Sequence, residues 1–111
     1  MLPKENRLPS PQIKTVTRCG KRVSAQGVQL IITQNTLPVS RFAFVVSKSV
    51  DKRAVGRNRL KRLTRESVRL ALGSLASGWD GVFMVRKGLG DDFASVNACV
   101  RDLLTRSKIL S

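Results

Sequence analysis

The chain has 111 residues, 41% of them hydrophobic, and a formal charge of +14 from 21 Lys and Arg against 7 Asp and Glu. That length makes a single domain, 1–111, with a modest core, and the hydrophobic content excludes a disordered tail. Histidine and tyrosine are both absent, so the usual carriers of general acid–base chemistry are missing, and the basic excess points instead to a polyanionic partner.

Cys19 and Cys99 are far apart and no CxxC occurs. The usual zinc patterns are therefore excluded, and a reducing, intracellular setting with two buried free thiols is expected. Pro3, Lys4, Glu5, Asn6 and Arg7 interrupt the start at once, unlike the apolar centre of a signal peptide. No apolar run is long enough for a membrane span.

Residues 1–9 are polar and bear prolines, which predicts an extended or mobile lead-in. Ser10 and Pro11 read as an N-cap and a first-turn proline, and Gly20 as a stop. The short helix between them places Ile13, Val16 and Thr17 on one face. Residues 21–25 and 28–33 read as strands joined by a tight turn at Gln26-Gly27, and residues 35–38 as a loop. A third strand covers 41–47. Alternation turns Phe42, Phe44 and Val46 to the core, while Arg41, Ala43 and Val45 floor an open groove on the other side.

Between positions 48 and 69, nine basic residues stand against Asp51 and Glu66, a local charge of +7 that is half the chain's total in 22 of its 111 residues. Like charges at i, i+4 repel along a helix. Such a row is tolerable when phosphates neutralise it. Asp51 is the expected N-cap of a helix running to about Leu75. Leu60, Leu63, Ser67, Leu70 and Ala71 form its packing face; Asn58, Lys61, Arg62, Arg65 and Arg69 form the outer one. Gly73, Ser74, Ser77 and Gly78 end it.

Residues 82–85 read as a fourth strand, emerging at Arg86-Lys87. Gly88 and Gly90 turn the chain. Asp91 or Asp92 caps a last helix with Phe93, Val96, Val100, Leu103 and Leu104 inward. Capping explains the acidic pair better than metal ligation. Trp79 is expected to pack. The order α-β-β-β-α-β-α gives an α+β two-layer sandwich with a four-stranded sheet.

Arginine forks suit bidentate phosphate contact, and asparagine both donates and accepts. The residues expected to contact nucleic-acid phosphates are Lys48, Lys52, Arg53, Arg57, Asn58, Arg59, Lys61, Arg62, Arg65 and Arg69, with Arg59 alternatively paired to Glu66 or Asp51. Glu66 is expected to pair with Arg62 or Arg69. No GxSxG, GxxxxGK[ST] or HExxH motif occurs, so no catalytic or metal-binding residue is assigned.

Val46-Ser47-Lys48, then Arg53-Ala54-Val55-Gly56-Arg57-Asn58-Arg59-Leu60-Lys61-Arg62, then Leu63-Thr64-Arg65-Glu66 closely resemble the bacterial ribonuclease P protein subunit. Arg7-Leu8, Gly20 and Arg86-Lys87 match that family too. The resemblance implies a small partner, one per RNA, of a catalytic RNA that removes 5′ leaders from precursor tRNA in the cytoplasm. Hydrolysis and Mg2+ would belong to the RNA. It also implies a left-handed crossover from the third strand through the long helix to the fourth, an exception to the usual hand. A cleft between the first helix and the sheet would hold the leader, lined here by Ile13, Thr17 and Ile31 with Arg41, Arg86 and Lys87. The family usually has aromatics at those first three positions, and each stacked base is worth ~1–3 kcal/mol. Ser49 stands where the family mostly has lysine.

Three other readings remain open at this stage. A ribosomal or other structural RNA-binding protein fits the charge but not the residue 57–65 pattern. A helix-turn-helix regulator needs two short helices where residues 41–47 read as strand. A membrane-active helix needs a broader apolar face than Leu60, Leu63 and Leu70 supply.

Overall fold

The structure, a computed structural model, describes residues 2–25, 27–86 and 92–109. Its elements run α1 (Ser10–Cys19), β1 (Lys21–Ala25), β2 (Val28–Gln34), β3 (Arg41–Val46), α2 (Ala54–Ala71), β4 (Trp79–Val85) and α3 (Phe93–Arg106), with 3-10 turns at Lys4–Asn6 and Leu72–Ser74. The expected α+β order is borne out. The sheet order is β1-β2-β4-β3; β2 is antiparallel to both neighbours, whereas β3 and β4 are parallel and joined through α2.

Strand alternation divides the core in two. Val28, Leu30 and Ile32 of β2, Phe42 and Val46 of β3, and Phe83 and Val85 of β4 meet α2 and α3 on one face. Phe44 stacks on Phe83 there, their ring centroids 5.5 Å apart. Ile31, Ala43 and Val82 point the other way and meet Val16 of α1 and Leu8. α1 covers only part of this second face, and Val45 and Met84 stay half-exposed. Gly20 makes the close approach possible: a Cβ there would lie 2.5 Å from the Val16 carbonyl oxygen and 2.6 Å from Ile31 Cγ2.

Several expectations are corrected. The lead-in is docked: Leu2 and Leu8 are buried, and Arg7 bridges Phe42 on the free edge of β3, with the Leu8 N–H donating to the Phe42 carbonyl at 2.9 Å. The packing face of α2 is Leu60, Thr64, Ser67, Val68 and Ala71, whereas Leu70 is 55% exposed. Thr64 is buried despite its hydroxyl because that group donates to the Leu60 carbonyl at 2.7 Å, which satisfies it inside the helix. Ser67 donates to Asn97 at 2.6 Å and ties α2 to α3. α2 stops at Ala71, where a 3-10 turn takes over. β4 starts three residues before the expected Val82, because Trp79, Asp80 and Gly81 pair with Gln34, Thr33 and Ile32; pairing partners override the weak strand preference of Asp and Gly.

Asp92 caps α3, its carboxylate accepting the Ser95 N–H at 3.1 Å; Asp91, like Gln26, Gly88 and Gly90, lies outside the described residues. Trp79 packs against the main core as expected. Cys19 is exposed, against expectation, whereas Cys99 is half-buried and packs against the main core. Among the described residues no helix is long and apolar enough to cross a membrane.

Candidate nucleic-acid interface

α2 begins at Ala54 with Arg53 as its cap residue, and no side chain caps it. Asp51, the expected cap, lies just ahead. Its carboxylate accepts the Arg53 N–H at 2.9 Å and pairs with the Arg53 guanidinium at 3.3 Å. Gly56 gives it room, since a Cβ there would come within 1.8 Å of Asp51 Oδ2. The carboxylate thus rests over the first turn, where the helix dipole favours a negative charge. Hydrogen bonds from the Arg53 side chain and backbone hold the Asp51 carboxyl below its usual range.

The expected cations of this region divide into three kinds. Arg57 is half-buried and turned back on the chain; its Nη1 donates to the carbonyls of Asp51 at 3.0 Å and Lys52 at 2.9 Å. It therefore shapes the turn that presents Lys48, Lys52 and Arg53, all three exposed. Arg69 donates through Nε to Glu66 at 2.9 Å. The Glu66 partner raises the Arg69 pKa, and Arg69 in turn lowers that of Glu66. Arg69 therefore carries its own counterion. Asn58, Arg59 and Arg62 are exposed, and Lys61 and Arg65 half-exposed. Asn58, Lys61, Arg62, Arg65 and Glu66 line an open hollow of about 500 Å³. Lys61 and Arg65 also reach a second hollow of about 290 Å³ beside Arg7 and Phe44, towards the β3 edge. An electropositive surface with shallow concavities follows α2, suited to a phosphate backbone.

The residues expected to line a cleft lie on the face that carries α1. Ile13 and Thr17 are half-exposed, and the Thr17 hydroxyl donates to the Ile13 carbonyl at 2.7 Å. Ile31 is fully buried under α1 and presents no surface to a ligand. Arg41 is bound to Asp80 through Nε at 2.9 Å and Nη2 at 2.8 Å, and that hydrogen bonding raises its pKa against the opposing effect of burial. Arg86 is exposed and donates to Gln29 Oε1 at 3.2 Å. Lys87 lies outside the described residues.

Sequence reasoning missed Arg22. It stands opposite Ile31 in the β1–β2 register and donates to Gln29 Oε1 at 3.1 Å and to the Thr17 carbonyl at 2.7 Å. The signal was present: alternation in β1 places Arg22 opposite in facing to Val23, which packs on the main core. Among the described residues, no group of three or more His, Cys, Asp or Glu side chains gathers where a metal ion would sit.

A small α+β scaffold with one long cationic helix, and a second, partly open sheet face bearing further arginines, defines a nucleic-acid-binding domain. A family model described as Ribonuclease P matches residues 2–108, and the chain belongs to that family. It is 39% identical over 92 residues to the ribonuclease P protein component of Microcystis aeruginosa, covering 78% of this chain and 77% of the relative. It is 50% identical over 70 residues to that of Azotobacter vinelandii, covering 63% of this chain and 53% of the relative, so it spans about half the length of that protein. Among solved structures, the RNase P protein from Thermotoga maritima in complex with 1-(4-fluorophenyl)-2-thiourea aligns with a TM-score of 0.83 at 30% identity, covering 90% of this chain and 98% of that one. The Staphylococcus aureus RNase P protein aligns with a TM-score of 0.84 at 18% identity, over 96% of this chain and 98% of that one, a likeness of fold.

Proposed function

We propose that this chain is the protein subunit of a bacterial, cytoplasmic ribonuclease P, one copy per catalytic RNA, and assists removal of the 5′ leader from precursor tRNA. The observation that carries the reading is α2. Its Arg57-Asn58-Arg59 core stands in the matched family segment, and its outer face keeps Lys61, Arg62 and Arg65 without carboxylate partners among the described ion pairs.

In this reading α2 grips the catalytic RNA, and its cations reduce repulsion between that RNA and the substrate. Lower repulsion raises the occupancy of Mg2+ held by the nucleic acid. The donor set on α2 does not suit a protein-held Mg2+: Glu66 is the one carboxylate lining the 500 Å³ hollow, and it is already bound to Arg69. Bond breaking is therefore assigned to the RNA. The face carrying α1 takes the leader, which gives precursor an affinity that mature tRNA lacks. A structural RNA-binding role of ribosomal type is not favoured by the family match.

The test is reconstitution with a bacterial catalytic RNA at low magnesium. The chain is expected to restore leader cleavage that the RNA alone performs poorly. Failure to raise the rate at any protein concentration sinks the reading, as does cleavage by the protein alone.

A further inference from the structure

Lys61 and Arg65, one turn apart on α2, line both of its hollows, and the two hollows differ in kind. The larger is lined by polar side chains alone and includes Glu66. The smaller, about 290 Å³, has Leu2, Phe42, Ala43 and Phe44 as an apolar wall and adds Arg7 to the two α2 cations. Arg7 is anchored there: its Nε donates to the Leu2 carbonyl at 2.9 Å, and the next residue, Leu8, donates its N–H to the Phe42 carbonyl at 2.9 Å. Arg7, Lys61 and Arg65 make no ion pair among the described residues. Phe44 supplies a flat surface. Phe83 of β4 covers one face of its ring, with the centroids 5.5 Å apart and the planes within 5° of parallel. β4 lies inside the sheet and β3 at its edge, so the other face of the Phe44 ring turns towards that edge. The lead-in pairs with the edge at Phe42, and Phe44, two residues further on, stays half-exposed.

We propose that this hollow takes one unstacked nucleotide of the catalytic RNA, its base laid on the outer face of Phe44 and its phosphate held among Arg7, Lys61 and Arg65. The proposal rests on the subunit reading above and deepens it. Cations by themselves suit any phosphate, and the larger hollow meets that need along the RNA backbone. An aromatic face beside three uncompensated cations calls for a ligand that is flat at one end and anionic at the other. A nucleotide has that chemistry, and proteins read unpaired RNA by stacking its bases on aromatic side chains. The volume agrees: ligand pockets run from roughly 300 Å³ upward, so a hollow of about 290 Å³ admits one base. A backbone that follows α2 across the larger hollow reaches the smaller one over Lys61 and Arg65, which the two share. The base is held by its face, so the site tolerates its identity and demands only that it stand outside a helix.

The experiment measures binding of wild type, Phe44→Leu, Phe44→Tyr and Arg7→Ala to a bacterial catalytic RNA across a salt series. Phe44→Leu keeps the apolar bulk but loses the flat π-face. Its affinity is expected to fall about 5- to 20-fold with the salt slope unchanged, since no charge is removed. Phe44→Tyr keeps the ring and should bind like wild type. Arg7→Ala should lower both affinity and slope, the slope by about 0.7–0.9. In the Arg7→Ala background the loss from Phe44→Leu should shrink, because one nucleotide engages both side chains. An independent arm leaves the protein unmutated and titrates adenosine 5′-monophosphate and ribose 5-phosphate into the free chain by NMR. The probe with a base is expected to bind more tightly and to shift the Phe44 ring protons upfield. If wild type holds the catalytic RNA and Phe44→Leu holds it as tightly, the nucleotide site is overturned and the subunit reading stands. Equal behaviour of the two probes overturns it as well, leaving a plain phosphate patch. If wild type does not bind the catalytic RNA, both fall together.

Discussion

Arg41 on β3 and Asp80 on β4 lie opposite each other in a parallel strand pair and are joined by two hydrogen bonds of 2.9 and 2.8 Å. Asn35 donates to the same carboxylate at 2.8 Å, so the loop after β2 is fastened to the pair. Removing one member of a largely buried ion pair leaves an uncompensated charge and costs about 3 kcal/mol. Asp80→Ala should therefore lower stability by about that amount in urea unfolding. Arg41→Ala should destabilise while leaving the salt dependence of RNA binding unchanged. A reduced salt slope would show that Arg41 reaches phosphate instead.

On α2 the free and the paired cations should behave differently. Arg65 has no carboxylate partner among the described ion pairs, whereas Arg69 is held by Glu66. Arg65→Ala and Arg62→Ala are each expected to reduce the salt slope of RNA binding by about 0.7–0.9, with thermal stability nearly unchanged. Arg69→Ala should shift the slope less, since Glu66 is released as an opposing charge. Equal effects at positions 65 and 69 would show that RNA displaces the Glu66 contact.

Restoring aromatic residues separates cleft from core. Ile13 and Thr17 are half-exposed on α1, and Ile31 is fully buried. Ile13→Phe should fold normally and strengthen leader binding by ~1–3 kcal/mol if a base stacks on it. Ile31→Phe should instead overpack the core beneath α1, at a cost of about 1–3 kcal/mol in unfolding experiments. An Ile31→Phe variant as stable as wild type would mean that α1 lifts readily from the sheet.

Titration should be quiet near neutrality. The carboxyls of Asp51, Glu66 and Asp92 are held below their usual values by hydrogen bonds from Arg53, Arg69 and Ser95 respectively. When the folded state lowers a carboxyl pKa, the unfolded chain takes up protons first as pH falls. Its stabilisation is complete above the unfolded value, ~4, and is lost as pH drops through the folded value. With no histidine in the chain, melting temperature is expected to stay level from pH ~5.5 to ~8 and to decline below ~4.5. A step in melting temperature near pH 6.5 would contradict this.

Much of this was legible in the sequence, and the failures have physical causes. The row Arg57, Asn58, Arg59, Lys61, Arg62, Arg65 announced itself because so much uncompensated like charge in one helix has few other uses. Phe42, Phe44 and Val46 were assigned to the right face by alternation alone. Leu70 was placed inward because it shares a side of the helical wheel with Leu63 and Ser67, whereas the buried stripe runs through Leu60, Thr64, Val68 and Ala71 and leaves Leu70 at its edge. Arg41 read as a free cation because its partner Asp80 is 39 residues away and hidden in a stretch that did not look like strand. Arg22 passed unnoticed for the reverse reason: a lone arginine in a short edge strand is ordinary until Arg86, 64 positions later in the sequence, is brought to the same glutamine.

The short strap formed by Leu2, Arg7 and Leu8 has a practical consequence. It covers part of the outer rim of β3 and plugs two leucines into separate cores. Trimming those first residues by proteolysis would bare unpaired backbone and apolar surface at once, a template on which a second molecule can dock strand to strand. A nicked preparation should accordingly self-associate on a sizing column while its circular dichroism stays close to that of the intact chain.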